Sequence, residues 1–174
     1  SQARSKLPGE FILAKAEQLP FAEAQFDYVN ISMAFQWLDQ PKFLSEAKRV
    51  LEPGGCLGID NYGFTGRARE REDFLEAYKS FDQLNMKTPP RNKNYPDASD
   101  LENTGLRLVK SFDYDHPVPM NKNQFINYLQ TRSNFLELPE AMRASTQQLM
   151  ADYYEPYFSG STLNLHFRGA LRLY

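Results

Sequence analysis

The sequence predicts an α/β fold, a parallel sheet with crossover helices, and three observations predict it. Short apolar runs rich in β-branched and aromatic residues are separated by a helix-period pattern. Strand, helix and strand follow one another within about 35 residues between positions 26 and 59, the chain grammar of a crossover unit. The composition of the 174 residues, 41% hydrophobic and 24% charged, is that of one ordinary globular domain and excludes disordered, collagen-like and coiled-coil classes.

Taken in order, the run Glu10-Phe-Ile-Leu-Ala14 is short, apolar and bounded by Pro8-Gly9 and Lys15, so it predicts a buried strand. Residues 16–21 form an irregular connection. Phe26–Ser32 predicts a second buried strand from its β-branched and aromatic content. Asp39 is placed to cap a helix with Pro41 in its first turn, and Phe43, Leu44, Ala47, Val50 and Leu51 recur on one face. Lys48 and Arg49 suit its negative end, and Pro53-Gly54-Gly55 predicts a turn before a strand at Cys56–Ile59.

Beyond it, residues 65–86 predict a helix burying Phe74, Tyr78 and Phe81, and residues 88–98, with three prolines, predict a mobile loop. Leu106–Tyr114 predicts a strand, and two helical patterns cover about 121–132 and 139–156. In the last segment, 162–174, Leu163, Leu165 and Phe167 alternate with Asn164, His166 and Arg168, the period of a half-buried strand.

A net charge of −2 and the absence of a long basic run give no electrostatic reason for a nucleic-acid partner. The mean hydropathy of −0.60 and the lack of a long apolar run predict no membrane span. Cys56 is the single cysteine, so no internal disulfide forms; with only two histidines, no metal-ligand cluster is expected, and a reducing, cytoplasmic compartment is.

Residues 15–60 then resemble the middle of class I S-adenosylmethionine-dependent methyltransferases. The resemblance is carried by Ala16-Glu17-Gln18-Leu19-Pro20-Phe21, Phe26-Asp27-Tyr28-Val29, Ala34-Phe35-Gln36-Trp37-Leu38-Asp39, Glu46, Arg49-Val50-Leu51 and Pro53-Gly54-Gly55, in the family's order. The Ala-Phe-x-Trp-Leu-Asp variant is most similar to the branch that includes trans-aconitate methyltransferase. Tyr128–Ser133, Leu138-Pro139 and Arg143 resemble the second half of that branch.

The resemblance implies a Rossmann-like sheet of strand order 3-2-1-4-5-7-6, with extra helices, about 121–158, between the last two strands. None of the nine glycines forms the family's G-x-G-x-G loop, and the first residue is Ser1, so the chain is expected to be the C-terminal portion of one methyltransferase domain, 1–174. Without the two strands that would join those at 10–14 and 26–32, the chain is expected to be marginal, to self-associate through an exposed edge, or to let its first strand move in.

The resemblance also implies S-adenosylmethionine as cofactor of the complete protein. It places Lys15, Ala16 and Glu17 beside the adenine, with a solvated turn as the alternative, and Ser32, Met33 and Ala34 beside the methionine portion. Open α/β sheets bind ligands at that carboxyl edge. On the substrate side stand Gln36, Trp37, Asn61 and Tyr62, with Tyr128 and Arg132 as donors; Trp37 is open to a second reading as core and Arg132 to one as a surface charge.

Gln36 has no useful pKa and is no general base, so no catalytic residue is assigned. A carboxylate is ionised at pH 7 and needs none, which favours a small organic acid as the methyl acceptor. Asp27 and Glu46 read as structural. The competing reading is a binding or interaction module that keeps the fold without turnover.

Overall fold

The computed structural model describes residues 9–85, 101 and 104–174. The mobile loop expected at 88–98 lies outside them. In chain order the elements are β1 (Phe26–Ser32), a 3-10 turn (Phe35–Trp37), α1 (Gln40–Val50), β2 (Leu51–Ala68), α2 (Phe74–Asn85), β3 (Lys110–Met120), α3 (Lys122–Gln130), α4 (Ser133–Leu136), α5 (Glu140–Phe158) and β4 (Leu163–Leu173). The sheet has the order β1-β2-β4-β3, which is the second half, 4-5-7-6, of the order the resemblance implies. Neighbours β1 and β2 are joined through α1, the crossover arrangement expected of this segment. Leu57 and Tyr174 exchange both backbone bonds, at 2.8 and 2.9 Å, the signature of an antiparallel pair.

The described residues form two compact units. The first takes in those of Ser1–Ile59, Asn92–Lys110 and Arg172–Tyr174, the second those of Asp60–Arg91 and Ser111–Leu171. In the first, Asp39 caps α1 by accepting from the Lys42 amide, and Pro41 occupies the first turn where its missing N–H costs nothing. The predicted face is the buried one: Phe43, Leu44 and Ala47 pack with Ile31, Leu51, Leu57, Ile59, Leu101 and Leu106. Each such side chain contributes about 1.5–3 kcal/mol by leaving water. In the second unit, Phe74, Phe81, Phe125, Ile126, Leu129, Met150, Tyr154 and Phe158 of the helices pack with Leu163, Leu165 and Phe167 of β4. Asn121 and Gln124 close a reciprocal capping box at the start of α3.

Four expectations are corrected. Residues 10–14 belong to no strand: Ile12 is 53% exposed and Leu13 fully so, and the nearest ladder feature is an isolated Lys15–Gln18 bridge. A strand-forming composition becomes a strand only where it has a pleated neighbour to lie against. Pro53-Gly54-Gly55 is not a turn ahead of a strand but lies inside β2, which begins at Leu51 and takes a positive φ, 87°, at Gly54. Gly55 is there for close approach, since a Cβ would stand 3.1 Å from the Asp27 carbonyl of β1 and 3.0 Å from Leu51.

The helix expected from residue 65 begins at Phe74, because β2 continues to Ala68. The strand expected at 106–114 is Lys110–Met120. Pro117 and Pro119 argue against a strand locally, yet β3 ends the strand order, the position where a residue lacking an N–H is tolerated.

Candidate functional site

The first unit brings one group of the predicted residues together at the carboxyl end of β1. Ile31 is buried, Ser32 is exposed, and at Met33 the backbone turns left-handed, φ 55°. That conformation costs a non-glycine residue on the order of 1–2 kcal/mol, and sites where it persists cluster at functional turns. Ala34 leads into the 3-10 turn, where Phe35 is fully buried and meets Phe43 edge-on at 5.8 Å. The ring of Phe35 anchors the turn from beneath. Met33 and Trp37, on either side of that anchor, are 43% and 45% exposed. Trp37 is therefore a surface of the turn and not part of the core. The Gln36 side-chain amide donates to the Met33 carbonyl at 3.0 Å.

Lys15 is exposed and its carbonyl accepts from the Gln18 amide at 3.0 Å, closing a short turn. Ala16 is half-buried against the first core. Glu17 Oε1 accepts from the Asp39 amide at 3.1 Å, which ties this turn to the start of α1. The connection that follows is clamped by a second pair. Arg49 donates through Nε and Nη2 to Glu46 at 2.8 and 2.7 Å, and through Nη1 and Nη2 to the carbonyls of Phe21 and Leu19 at 2.8 and 3.2 Å. The Leu19 amide donates to the same Glu46 carboxylate at 2.6 Å. These bonds, led by the Arg49 guanidinium, hold the Glu46 carboxyl down at about 2. Glu46 is the structural residue the sequence suggests: it accepts from the Leu19 amide and orients Arg49, which donates to the Phe21 and Leu19 carbonyls.

The second unit holds the rest. Asn61 and Tyr62 were expected in a loop after a strand ending at 59; both lie within β2, half-buried. Tyr62 stacks on Phe167 at 5.1 Å and on Tyr114 at 6.2 Å, and Tyr128 meets Phe167 edge-on at 5.2 Å. Burial pushes the hydroxyls of Tyr62 and Tyr128 upward, so both remain protonated donors at neutral pH.

Arg132 donates to Asp82 at 3.0 Å and lies over the Tyr78 ring at 5.4 Å; Asn134, 2% exposed, donates to the same Asp82 oxygen at 2.9 Å. Its guanidinium is thus part of an internal network. Arg143 donates to the carbonyls of Leu138 and Leu136 at 3.1 and 2.8 Å. Sequence reasoning passed over Phe64, Tyr114 and Phe167. The available signal was the alternation Tyr62, Phe64 in β2, masked by Gly63 and Gly66. Among the described residues no group of three or more His, Cys, Asp or Glu side chains is placed to hold a metal, and no helix is long and apolar enough to cross a membrane.

Residues 1–59 match the family model described as a methyltransferase domain. The phthiotriol/phenolphthiotriol dimycocerosates methyltransferase of Mycobacterium leprae is 48% identical over 79 residues, 44% of this chain and 29% of that protein. The malonyl-[acyl-carrier protein] O-methyltransferase of Hahella chejuensis is 52% identical over 46 residues, 26% of this chain and 16% of that protein. The matched segments cover 24% to 40% of the first three such relatives.

Among solved structures, a protein of Anaeromyxobacter dehalogenans assigned as a type II methyltransferase superposes with a TM-score of 0.65 at 18% identity, over 99% of this chain and 75% of that one. One from Bacillus halodurans, also assigned as a methyltransferase, gives 0.54 at 19% identity, over 94% and 76%. At such identities these two show the fold. Residues 1–59 thus match a methyltransferase domain in sequence, and the chain shares its α/β fold with the two solved structures.

Proposed function

We propose that this chain belongs to an enzyme that transfers a methyl group from S-adenosylmethionine to a small molecule, with a carboxylic acid as the acceptor. The observation that carries the reading is the turn at the carboxyl end of β1. It combines a left-handed Met33, an exposed Trp37 and the Ser32 hydroxyl at the edge where α/β sheets bind ligands. Those groups suit the reaction: an indole on the acceptor side attracts the sulfonium as it does other cations, and backbone groups near Ala16 serve the adenine edge. In this reading Lys15, Ala16, Glu17, Ser32, Met33 and Ala34 hold the cofactor, which supplies the electrophilic methyl group. Of the residues expected on the substrate side, Trp37 lies on this turn, and Asn61, Tyr62 and Tyr128 belong to the second unit.

Methyl transfer from a sulfonium is an in-line displacement, and the protein contributes chiefly alignment. The chemistry on the turn fits an acceptor that is already ionised, since Gln36 cannot take a proton. The malonyl-[acyl-carrier protein] O-methyltransferases among the relatives lend the oxygen-acceptor reading support.

Calorimetric titration with S-adenosylhomocysteine, of this chain and of the same chain preceded by its natural upstream segment, tests the proposal. Binding by either, followed by transfer of labelled methyl to a member of a di- and tricarboxylic acid panel, supports it. Binding without transfer to any acceptor supports a non-catalytic module instead. No binding by either form removes the enzyme reading.

A further inference from the structure

We propose that Glu17 is a positioning residue: it completes the cap of α1 from outside the helix and so ties the turn at residues 15–18 to the chain that leaves the 3-10 turn. The inference rests on the cofactor-side reading of residues 15–17 and 32–34, and gives Glu17 a duty within it that is exerted through the main chain.

By itself α1 carries half of a capping box. Asp39 at the N-cap accepts from the Lys42 amide, but the N3 residue is Lys42, whose side chain has donors only and whose ammonium goes to the Asp39 carboxylate at 2.5 Å. A glutamine or glutamate at N3 would turn back to the N-cap N–H, as Gln124 does to the Asn121 amide at 2.9 Å in α3. In α1 that N–H donates instead to Glu17 Oε1 at 3.1 Å, 22 residues upstream.

The bond therefore joins two segments. On one side lies the turn closed by the Gln18 amide on the Lys15 carbonyl at 3.0 Å, with Ala16 packed on the first core. On the other lies Asp39, one residue beyond the backbone bonds from Leu38 to Phe35 and from Trp37 to Ala34, 3.3 and 2.9 Å, with Phe35 fully buried beneath them. Leu19, next along the chain, is held separately by Glu46 and Arg49. Through Glu17 the backbone of Lys15 and Ala16 is kept at one spacing from Met33 and Ala34, the two flanks of the cofactor in this reading.

Amide hydrogen exchange and titration with S-adenosylhomocysteine test this together, on the chain with and without its natural upstream segment. Glu17→Ala is expected to speed exchange at Asp39 and Gln18, to leave the Leu19 amide as in the parent, and to weaken S-adenosylhomocysteine about threefold to tenfold, the effect of losing one hydrogen bond. Glu17→Gln keeps an acceptor and should hold every reading near the parent value. Adding Lys42→Gln to Glu17→Ala supplies at N3 the acceptor that α3 uses, so Asp39 exchange should slow again while Gln18 exchange and affinity stay impaired.

Unchanged Asp39 exchange in Glu17→Ala, or Glu17→Gln behaving like alanine, would overturn the proposal. So would recovered affinity in the double variant, which reduces Glu17 to a helix cap, or lost affinity with unchanged Gln18 exchange, the mark of a carboxylate that touches the cofactor itself. If the parent binds no S-adenosylhomocysteine in either form, the cofactor reading fails separately, and exchange at Gln18 and Asp39 alone decides whether Glu17 ties the turn.

Discussion

Glu46 and Arg49 stand one helical turn apart on α1, and that spacing alone makes an ion pair worth little on a surface. What distinguishes this pair is that the guanidinium also reaches the carbonyls of Phe21 and Leu19, while the carboxylate accepts the Leu19 amide. The clamp fixes a connection that has no regular structure of its own. Its pH dependence has a definite sign. The Glu46 carboxyl is held at about 2 against an ordinary 4.5, so its contribution to stability is fully present above about pH 4.5 and disappears as pH falls toward 2. Thermal melts of the parent and of Glu46→Gln should therefore differ at pH 6 and converge by pH 2. Curves that stay separated by a constant interval down to that pH would show that the carboxylate's charge is not what the clamp uses. From sequence, Glu46 reads as structural, but what the clamp ties down is main chain far off, the Leu19 amide 27 residues from Glu46 and the Phe21 and Leu19 carbonyls 28 and 30 residues from Arg49. No pattern of residue types specifies a bond to a distant carbonyl.

At the scale of the element, two glycines explain how aromatic side chains lie across strands. A Cβ at Gly58 of β2 would stand 2.2 Å from the Tyr28 hydroxyl, and one at Gly169 of β4 would stand 2.0 Å from the ring of Tyr114. Tyr114 covers Gly169 and stacks on Tyr62. Alanine at 169 gains about 0.5–1 kcal/mol of strand preference and forfeits a stack worth about 0.5–1.5 kcal/mol, so the two nearly cancel. Gly169→Ala is accordingly expected to leave the melting temperature within a few degrees of the parent while displacing the Tyr114 ring. The check is the loss of ring-current shifts between Tyr62 and Tyr114 by NMR, and preserved shifts would refute the close approach. Elements with an amphipathic period, α1 and β4, were legible because their neighbours are implied by their own alternation. The long β2 was not: Pro53, Gly54, Gly55, Gly63 and Gly66 read as breaks, whereas Gly55 gives room to the neighbouring strand and Gly66 to the α2 side chains Leu75 and Tyr78.

For the molecule as a whole, the decisive feature is that β2 and β4 each contribute residues to both compact units. At these two strands the unit boundary falls inside the strand and not in a linker, so at neither of them can one core melt while the strand stays intact for the other. The chain should therefore unfold in one cooperative transition, as the single domain expected from its length. Leu57 and Phe125 are both fully buried, the first in the core built on α1 and the second in the aromatic core of the helices. Leu57→Ala costs about 2–5 kcal/mol and Phe125→Ala about 3–5 kcal/mol, large fractions of a typical total of about 5–15 kcal/mol. Under cooperative unfolding each substitution lowers one shared midpoint, by about 2–4 °C per kcal/mol, and calorimetric and van't Hoff enthalpies agree. Two resolved transitions, with Leu57→Ala moving one and Phe125→Ala moving the other, would show that the units fold separately and that the shared strands do not couple them.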